Sequence, residues 1–115
     1  QGSLFPPAYA GVTLDLLHGS QPDAIVLCHN PSRSTIDGYP DFPIPDLKVA
    51  IDDYLRAGRL TNAAIRCVAL SINSSGLDDA ECARYFERVR AELGLPVCDP
   101  VRNGVDALVD ALLAP

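Results

Sequence analysis

Five apolar residues in succession, Ala24-Ile25-Val26-Leu27-Cys28, run into the polar trio His29-Asn30-Pro31. A short uninterrupted run of this kind predicts a strand covered on both faces, as in a parallel sheet. A second run, residues 65–72, ends in Asn73-Ser74-Ser75-Gly76. Helical spacing fills the intervals. Residues 9–18 read as a helix with Val12 and Leu16 on one face, and Gly19 suits the left-handed position after its end. Pro45 is placed to open a helix to residue 57, with Leu47, Ile51, Tyr54 and Leu55 as its buried stripe. Asp78 and Glu81 have capping-box spacing, with Leu77 set to staple against Cys82. The helix they start buries Cys82, Phe86, Val89 and Leu93 and ends at Gly94. A short strand over residues 95–98 precedes Asp99-Pro100. The last helix carries Val105, Leu108, Val109 and Leu112 behind an Asn103 cap.

The predicted order is α-β-α-β-α-β-α. Strands alternating with helices imply crossovers and a parallel α/β sheet in three layers, with helices on both faces. Ligands of such sheets bind beyond the carboxyl ends of the strands. His29 and Asn73 are therefore expected on one shared rim. Residues 30–45 are proline-rich and read as a long loop of the kind that carries function. Within it Tyr39 is expected to anchor the loop, and Asp41 is the second polar candidate.

A chain of 115 residues has room for one domain with a modest core. Hydrophobic residues make up 48%, the proportion of a globular chain rather than a disordered one. The net charge of −6, from 15 acidic and 9 basic residues, argues against nucleic acid or an anionic membrane as the main partner. No apolar stretch has the length of a membrane span. Cys28, Cys67, Cys82 and Cys98 form no C-x-x-C pair and three lie within apolar stretches, which predicts small buried core residues in a reducing compartment and no metal site. The chain contains no Met and starts Gln1-Gly2-Ser3, so a fragment or processed product of a longer protein is expected.

No complete phosphate-loop, dinucleotide-binding or nucleophile-elbow motif is present. His29 has the best position and an imidazole suited to general acid–base work near neutral pH; alternatively it only bonds loop backbone. Arg33 offers a bidentate fork for a carboxylate or phosphate, or is a solvated loop arginine. Asn73, Ser74 and Ser75 present amide and hydroxyl groups that read a base, a carboxylate or an amide, or form an ordinary turn. Backbone N–H groups at Gly2 and Ser3 are candidate anion contacts. His18 suits a structural role at a helix end.

The segments Gln1-Gly2-Ser3-Leu4, Ala8-Tyr9-Ala10-Gly11-Val12-Thr13-Leu14 and Leu17-His18-Gly19-Ser20-Gln21-Pro22-Asp23 resemble the carboxyl-terminal part of the DUF1611 family. So do Leu27-Cys28-His29, Gly38-Tyr39-Pro40 and Ser71-Ile72-Asn73-Ser74-Ser75-Gly76-Leu77. That family includes bacterial D-glutamate N-acetyltransferases. The resemblance implies a cytoplasmic parent enzyme using acetyl-CoA, with a P-loop-type α/β domain of which these residues are the last portion. Its phosphate loop would precede Gln1, and the histidine expected near Pro6 is absent. Asn73 matches a strand-end asparagine that contacts a nucleotide base in P-loop relatives, by analogy. The expected roles are base for His29, carboxylate binding for Arg33 and oxyanion donation around Asn73 to Ser75. An ATP-binding ligase or ATPase, and a non-catalytic interaction module, are the alternatives. The expected partners are a small-molecule substrate, the missing amino-terminal part of the same protein and a second copy in a homo-oligomer. No cofactor is expected to bind the fragment alone.

Overall fold

The computed structural model describes residues 3–115. They form two compact units, one of residues up to Asp23 with Arg33–Arg66, the other of Ala24–Ser32 with Cys67–Pro115. The elements run α1 (Pro7–Ser20), β1 (Ala24–His29), β2 (Thr35–Ile36), β3 (Tyr39–Pro43), α2 (Leu47–Gly58), β4 (Arg66–Ile72), α3 (Asp79–Leu93), β5 (Val97–Cys98), α4 (Pro100–Asn103) and α5 (Asp106–Leu113).

In the first unit α1 extends past Gly19, contrary to expectation. Gln21 takes the left-handed conformation instead, at φ 47° and ψ 53°, with its N–H donating to the Leu17 carbonyl. This rare choice for a residue with a Cβ is held by Asn62. The Asn62 Nδ2 group donates to the Gln21 and Pro22 carbonyls, each at 3.1 Å, and to Asp23 Oδ1 at 2.9 Å. Val12 and Leu16 share a face as predicted, but that face is 59% and 62% exposed; Leu17 is the buried residue of α1. His18 is structural, and its partner lies outside its own helix: Nε2 donates to the Ala57 carbonyl near the end of α2 at 2.7 Å.

Helix α2 starts at Leu47, two residues after Pro45, because the Asp46 carboxylate caps it by accepting from Lys48 N–H. Residues 30–45 are not a structureless loop. Thr35–Ile36 and Tyr39–Pro43 pair antiparallel around Asp37-Gly38, with Gly38 at φ 77°. Tyr39 anchors this hairpin, its ring edge-on to Tyr9 at 5.6 Å and to Phe42 at 5.9 Å.

The second unit carries a three-stranded sheet in the order β1-β4-β5. Strand β4 runs parallel to β5, with Leu70 opposite Val97 and Ser71 opposite Cys98. Arg66 N–H donates to the Asp23 carbonyl and Asn73 N–H to that of His29, so β1 also rises in step with β4. The fold is thus the mixed α/β class with a parallel sheet, as the sequence implied. Val68, Ala69, Cys98 and Leu108 form a core cluster, with Ala24, Val26 and Ala111 packed against it. The capping box at Asp78 and Glu81 is present, Cys82, Phe86 and Val89 are buried, and Gly94 ends α3 at φ 65°. The last predicted helix divides. Asp99 caps α4, Gly104 breaks the chain at φ 75°, and α5 begins with no side-chain cap. Asn103 accepts from Asp99 N–H rather than capping α5. Leu108 alone of the predicted stripe is buried, while Val105 and Leu112 remain 47% and 45% exposed. Of the cysteines, Cys82 and Cys98 are buried, Cys67 is half-buried and Cys28 is exposed, against the expectation that it packs inside.

Candidate functional site

Both strand ends of the second unit open onto one pocket of about 550 Å³, a size suited to a small ligand. Its lining includes His29 and Asn30 after β1, Asn73 and Ser75 after β4, and Asp99 and Arg102 after β5. The parallel register places them there. The Asn73 N–H···O=C bond to His29, 2.8 Å long, locks the two strand ends side by side.

The imidazole of His29 makes no hydrogen bond among the described residues. Burial pushes its pKa below the ordinary value, because desolvation penalises the imidazolium. A neutral imidazole is a proton acceptor at physiological pH. Asn30 and Asn73 form matching turns: Asn30 Oδ1 accepts from Ser32 N–H at 2.9 Å, and Asn73 Oδ1 from Ser75 N–H at 3.2 Å. These bonds fix which end of each amide is oxygen and leave the NH₂ groups as donors.

Beneath the rim lies a carboxylate. Asp99 is 4% exposed and Ser74 is 0% exposed. Asp99 Oδ2 accepts from Ser74 N–H at 3.0 Å and from Ser74 Oγ at 2.5 Å. Its Oδ1 accepts from Val101 N–H at 2.8 Å and Arg102 N–H at 3.3 Å. The Ser74 hydroxyl bond, ahead of the backbone donors, lowers the Asp99 pKa to about 2. Arg102 pairs with Asp79 and donates to the Ser74 and Leu77 carbonyls, the latter at 2.7 Å. One buried anion and one arginine therefore clamp the loop after β4. That loop also meets the turn after β1 closely: a Cβ on Gly76 would lie 2.1 Å from Ser32 Oγ and 2.9 Å from its Cβ.

The sequence-predicted residues separate accordingly. His29, Asn73 and Ser75 come together in the pocket lining. Ser74 departs from its expected ligand contact, since its hydroxyl turns inward to Asp99. Arg33 belongs to the first unit, where it is exposed and pairs with Asp37 at 3.6 Å. Ser3 also belongs there, its Oγ accepting from Phe5 N–H at 3.2 Å. Gly2 lies outside the described residues. Asn30 stands where its place after the first apolar run put it, in the lining; sequence reasoning missed Asp99 and Arg102. The pair Asp99-Pro100 did carry a signal, an acidic cap before a proline at the first helical position.

The profile of DUF1611, described as a domain of unknown function (DUF1611_C) P-loop domain, matches residues 1–109. The chain belongs to the DUF1611 family. A DUF1611 family protein from Anabaena variabilis, solved by crystallography, superposes with a TM-score of 0.88 at 35% identity, over 98% of this chain and 33% of its own. Two further relatives bear the name D-glutamate N-acetyltransferase. The one from Tritonibacter scottomollicae is 43% identical over 99% of this chain. The one from a Pseudoalteromonas species is 41% identical over 95%. This DUF1611 chain spans about a third of each, at 34% and 33%. Among its described residues no helix is long and apolar enough to cross a membrane, and no cluster of three metal-ligating side chains occurs.

Proposed function

We propose that this chain is the acceptor-binding portion of a D-glutamate N-acetyltransferase, which moves the acetyl group of acetyl-CoA to the α-amine. The observation that carries the reading is the convergence of a neutral imidazole and two amide donors on one strand-end pocket. The names of the relatives from Tritonibacter scottomollicae and the Pseudoalteromonas species supply the substrate.

His29 takes a proton from the α-ammonium group, freeing the amine lone pair. The nitrogen attacks the thioester carbonyl carbon and the carbonyl electrons move onto oxygen. Asn73 Nδ2 and the Ser75 hydroxyl donate to that oxyanion, where charge develops. Collapse re-forms the carbonyl, breaks the carbon–sulfur bond and releases CoA thiolate, which takes up a second proton from the nitrogen, the third staying on the amide. Asn30 Nδ2 is a donor for an acceptor carboxylate. Arg102 is the one arginine in the lining, and its guanidinium is committed to Asp79 and two carbonyls. These residues suit the acetyl end and the amino acid but not the phosphates of CoA, which the rest of the polypeptide would bind. Acetyl-CoA chemistry of this kind belongs in the cytoplasm.

The test uses the whole polypeptide and follows free CoA thiol with acetyl-CoA and D-glutamate. His29→Ala lowers kcat about 100-fold, the usual contribution of a general base. Near-normal turnover in that variant removes His29 from the chemistry. The family's description as a P-loop domain favours a second reading, in which the parent hydrolyses ATP. Orthophosphate release that depends on added amino acid, without CoA release, decides for that alternative.

A further inference from the structure

Arg102 is the one side chain in the pocket lining that carries a full positive charge, since burial keeps His29 neutral at physiological pH. The two ends of its guanidinium are held differently. Nη2 donates within the loop after β4, to the Leu77 carbonyl at 2.7 Å and the Ser74 carbonyl at 3.3 Å. Nη1 donates to Asp79 alone among the described residues. The Arg102 backbone N–H is also fixed, on Asp99 Oδ1. The fold therefore holds the guanidinium plane by Nη2 and leaves Nη1 to an anion, a role at present filled by Asp79.

Asp79 holds that end weakly. Its side chain is 98% exposed, against 31% for Arg102. Water screens a pair with one partner in bulk solvent, so the pair resists exchange by no more than ~5-fold. Helix α3 does not need the Asp79 carboxylate either, because Asp78 and Glu81 form its capping box. Asp99 offers the guanidinium no alternative, since both its oxygens are taken by Ser74 and by backbone donors of α4. D-Glutamate carries two carboxylates, and the reading above gives Asn30 Nδ2 to one of them. The other, brought from water into the pocket, also needs a partner. A guanidinium already oriented by the loop supplies the strong, charge-assisted bond at little cost in order.

We propose that Arg102 selects an acidic acceptor by exchange: Nη1 releases Asp79 and takes the acceptor's side-chain carboxylate, while Nη2 stays on the loop. A neutral amino acid has nothing to displace Asp79 with, so the pair discriminates glutamate from glutamine. The inference rests on the acetyl-transfer reading for the identity of the acid, and on the geometry of Arg102 for the anion site.

Calorimetric titration of the whole polypeptide with D-glutamate and with D-glutamine, with and without CoA, tests it. Asp79→Asn should tighten D-glutamate binding ~3-fold and leave D-glutamine unchanged. Arg102→Gln should weaken D-glutamate at least ~10-fold more than D-glutamine, whereas a loosened loop alone would weaken both alike. Adding Asp79→Asn to Arg102→Gln should then change nothing. Unchanged D-glutamate affinity in Asp79→Asn overturns the proposal. So does equal tightening in the Arg102→Gln background, which makes the field of Asp79 and not the arginine the cause. An effect confined to CoA affinity assigns Arg102 to a CoA phosphate and overturns it too, as does a complete lack of D-glutamate binding by the unaltered protein. If Arg102→Gln does not fold, Asp79→Asn against the two amino acids decides alone. Release of CoA thiol from acetyl-CoA, followed in parallel, judges the acetyl-transfer reading separately: binding with these ratios but no release sinks that reading and leaves the Arg102 site standing.

Discussion

Asp99→Asn removes one charge and keeps the shape, so it isolates what the buried carboxylate does. The four donors around it are Ser74 N–H and Oγ–H on one oxygen and the Val101 and Arg102 N–H groups on the other. An amide has one acceptor oxygen. Whichever way it turns, its NH₂ faces at least one backbone donor. A buried donor left without an acceptor costs ~1–3 kcal/mol. Weakening the cap of α4 adds ~0.5–2 kcal/mol. The loop after β4 and the start of α4 should then open more easily by about 3 kcal/mol, or roughly 150-fold. Amide exchange at Ser74 and Val101 reads this directly, with exposed Asp110→Asn as the control that leaves both rates alone. Unchanged exchange at Ser74 in Asp99→Asn would refute the view that this anion holds the rim. The functional consequence should follow the same path: kcat falls because Asn73 and Ser75 lose their fixed positions, although Asp99 has no oxygen lone pair free for substrate.

The same carboxylate sets an acid limit. Its folded-state pKa of about 2 lies below the ordinary 3.8, so the stability it contributes is complete above pH 3.8 and is lost as pH falls toward 2. Acid denaturation followed by circular dichroism should flatten in that window in Asp99→Asn. The pKa of His29 is depressed by burial, so the acidic limb of the kcat/KM profile should fall below pH 6.5; a limb above that value contradicts the role given to it. Gly76→Ala drives a methyl into Ser32 and should cost ~1–3 kcal/mol of stability in chemical denaturation. Adding Ser32→Gly should recover most of that loss, and no recovery would mean that the close approach of the two loops is not the cause.

Much of the fold was legible because its signals are local. The capping box at Asp78 and Glu81, the left-handed Gly94 and the apolar runs of β1 and β4 each act within a few residues, and each is where the sequence put it. The shared rim followed from strand direction alone. Asp37-Gly38 was an available hairpin signal, but the surrounding prolines made residues 30–45 read as loop. The end of α1 was misplaced for a different reason. Gly19 is the better left-handed residue, yet Asn62, 41 positions after Gln21 and invisible to any local rule, stabilises Gln21 in that conformation.

The pocket divides in the same way. The polar groups at the strand ends, His29 and Asn73, were written into the chain by their place after apolar runs. What holds them was decided only in three dimensions: Ser74 and Asp99 are 25 residues apart, and Arg102 reaches back 25 residues to Leu77. A serine in a polar turn looks like a ligand contact until the fold brings a carboxylate beneath it. Burial then makes that hydrogen bond worth more inside than outside, because an unpaired polar group there has no water to replace its partner.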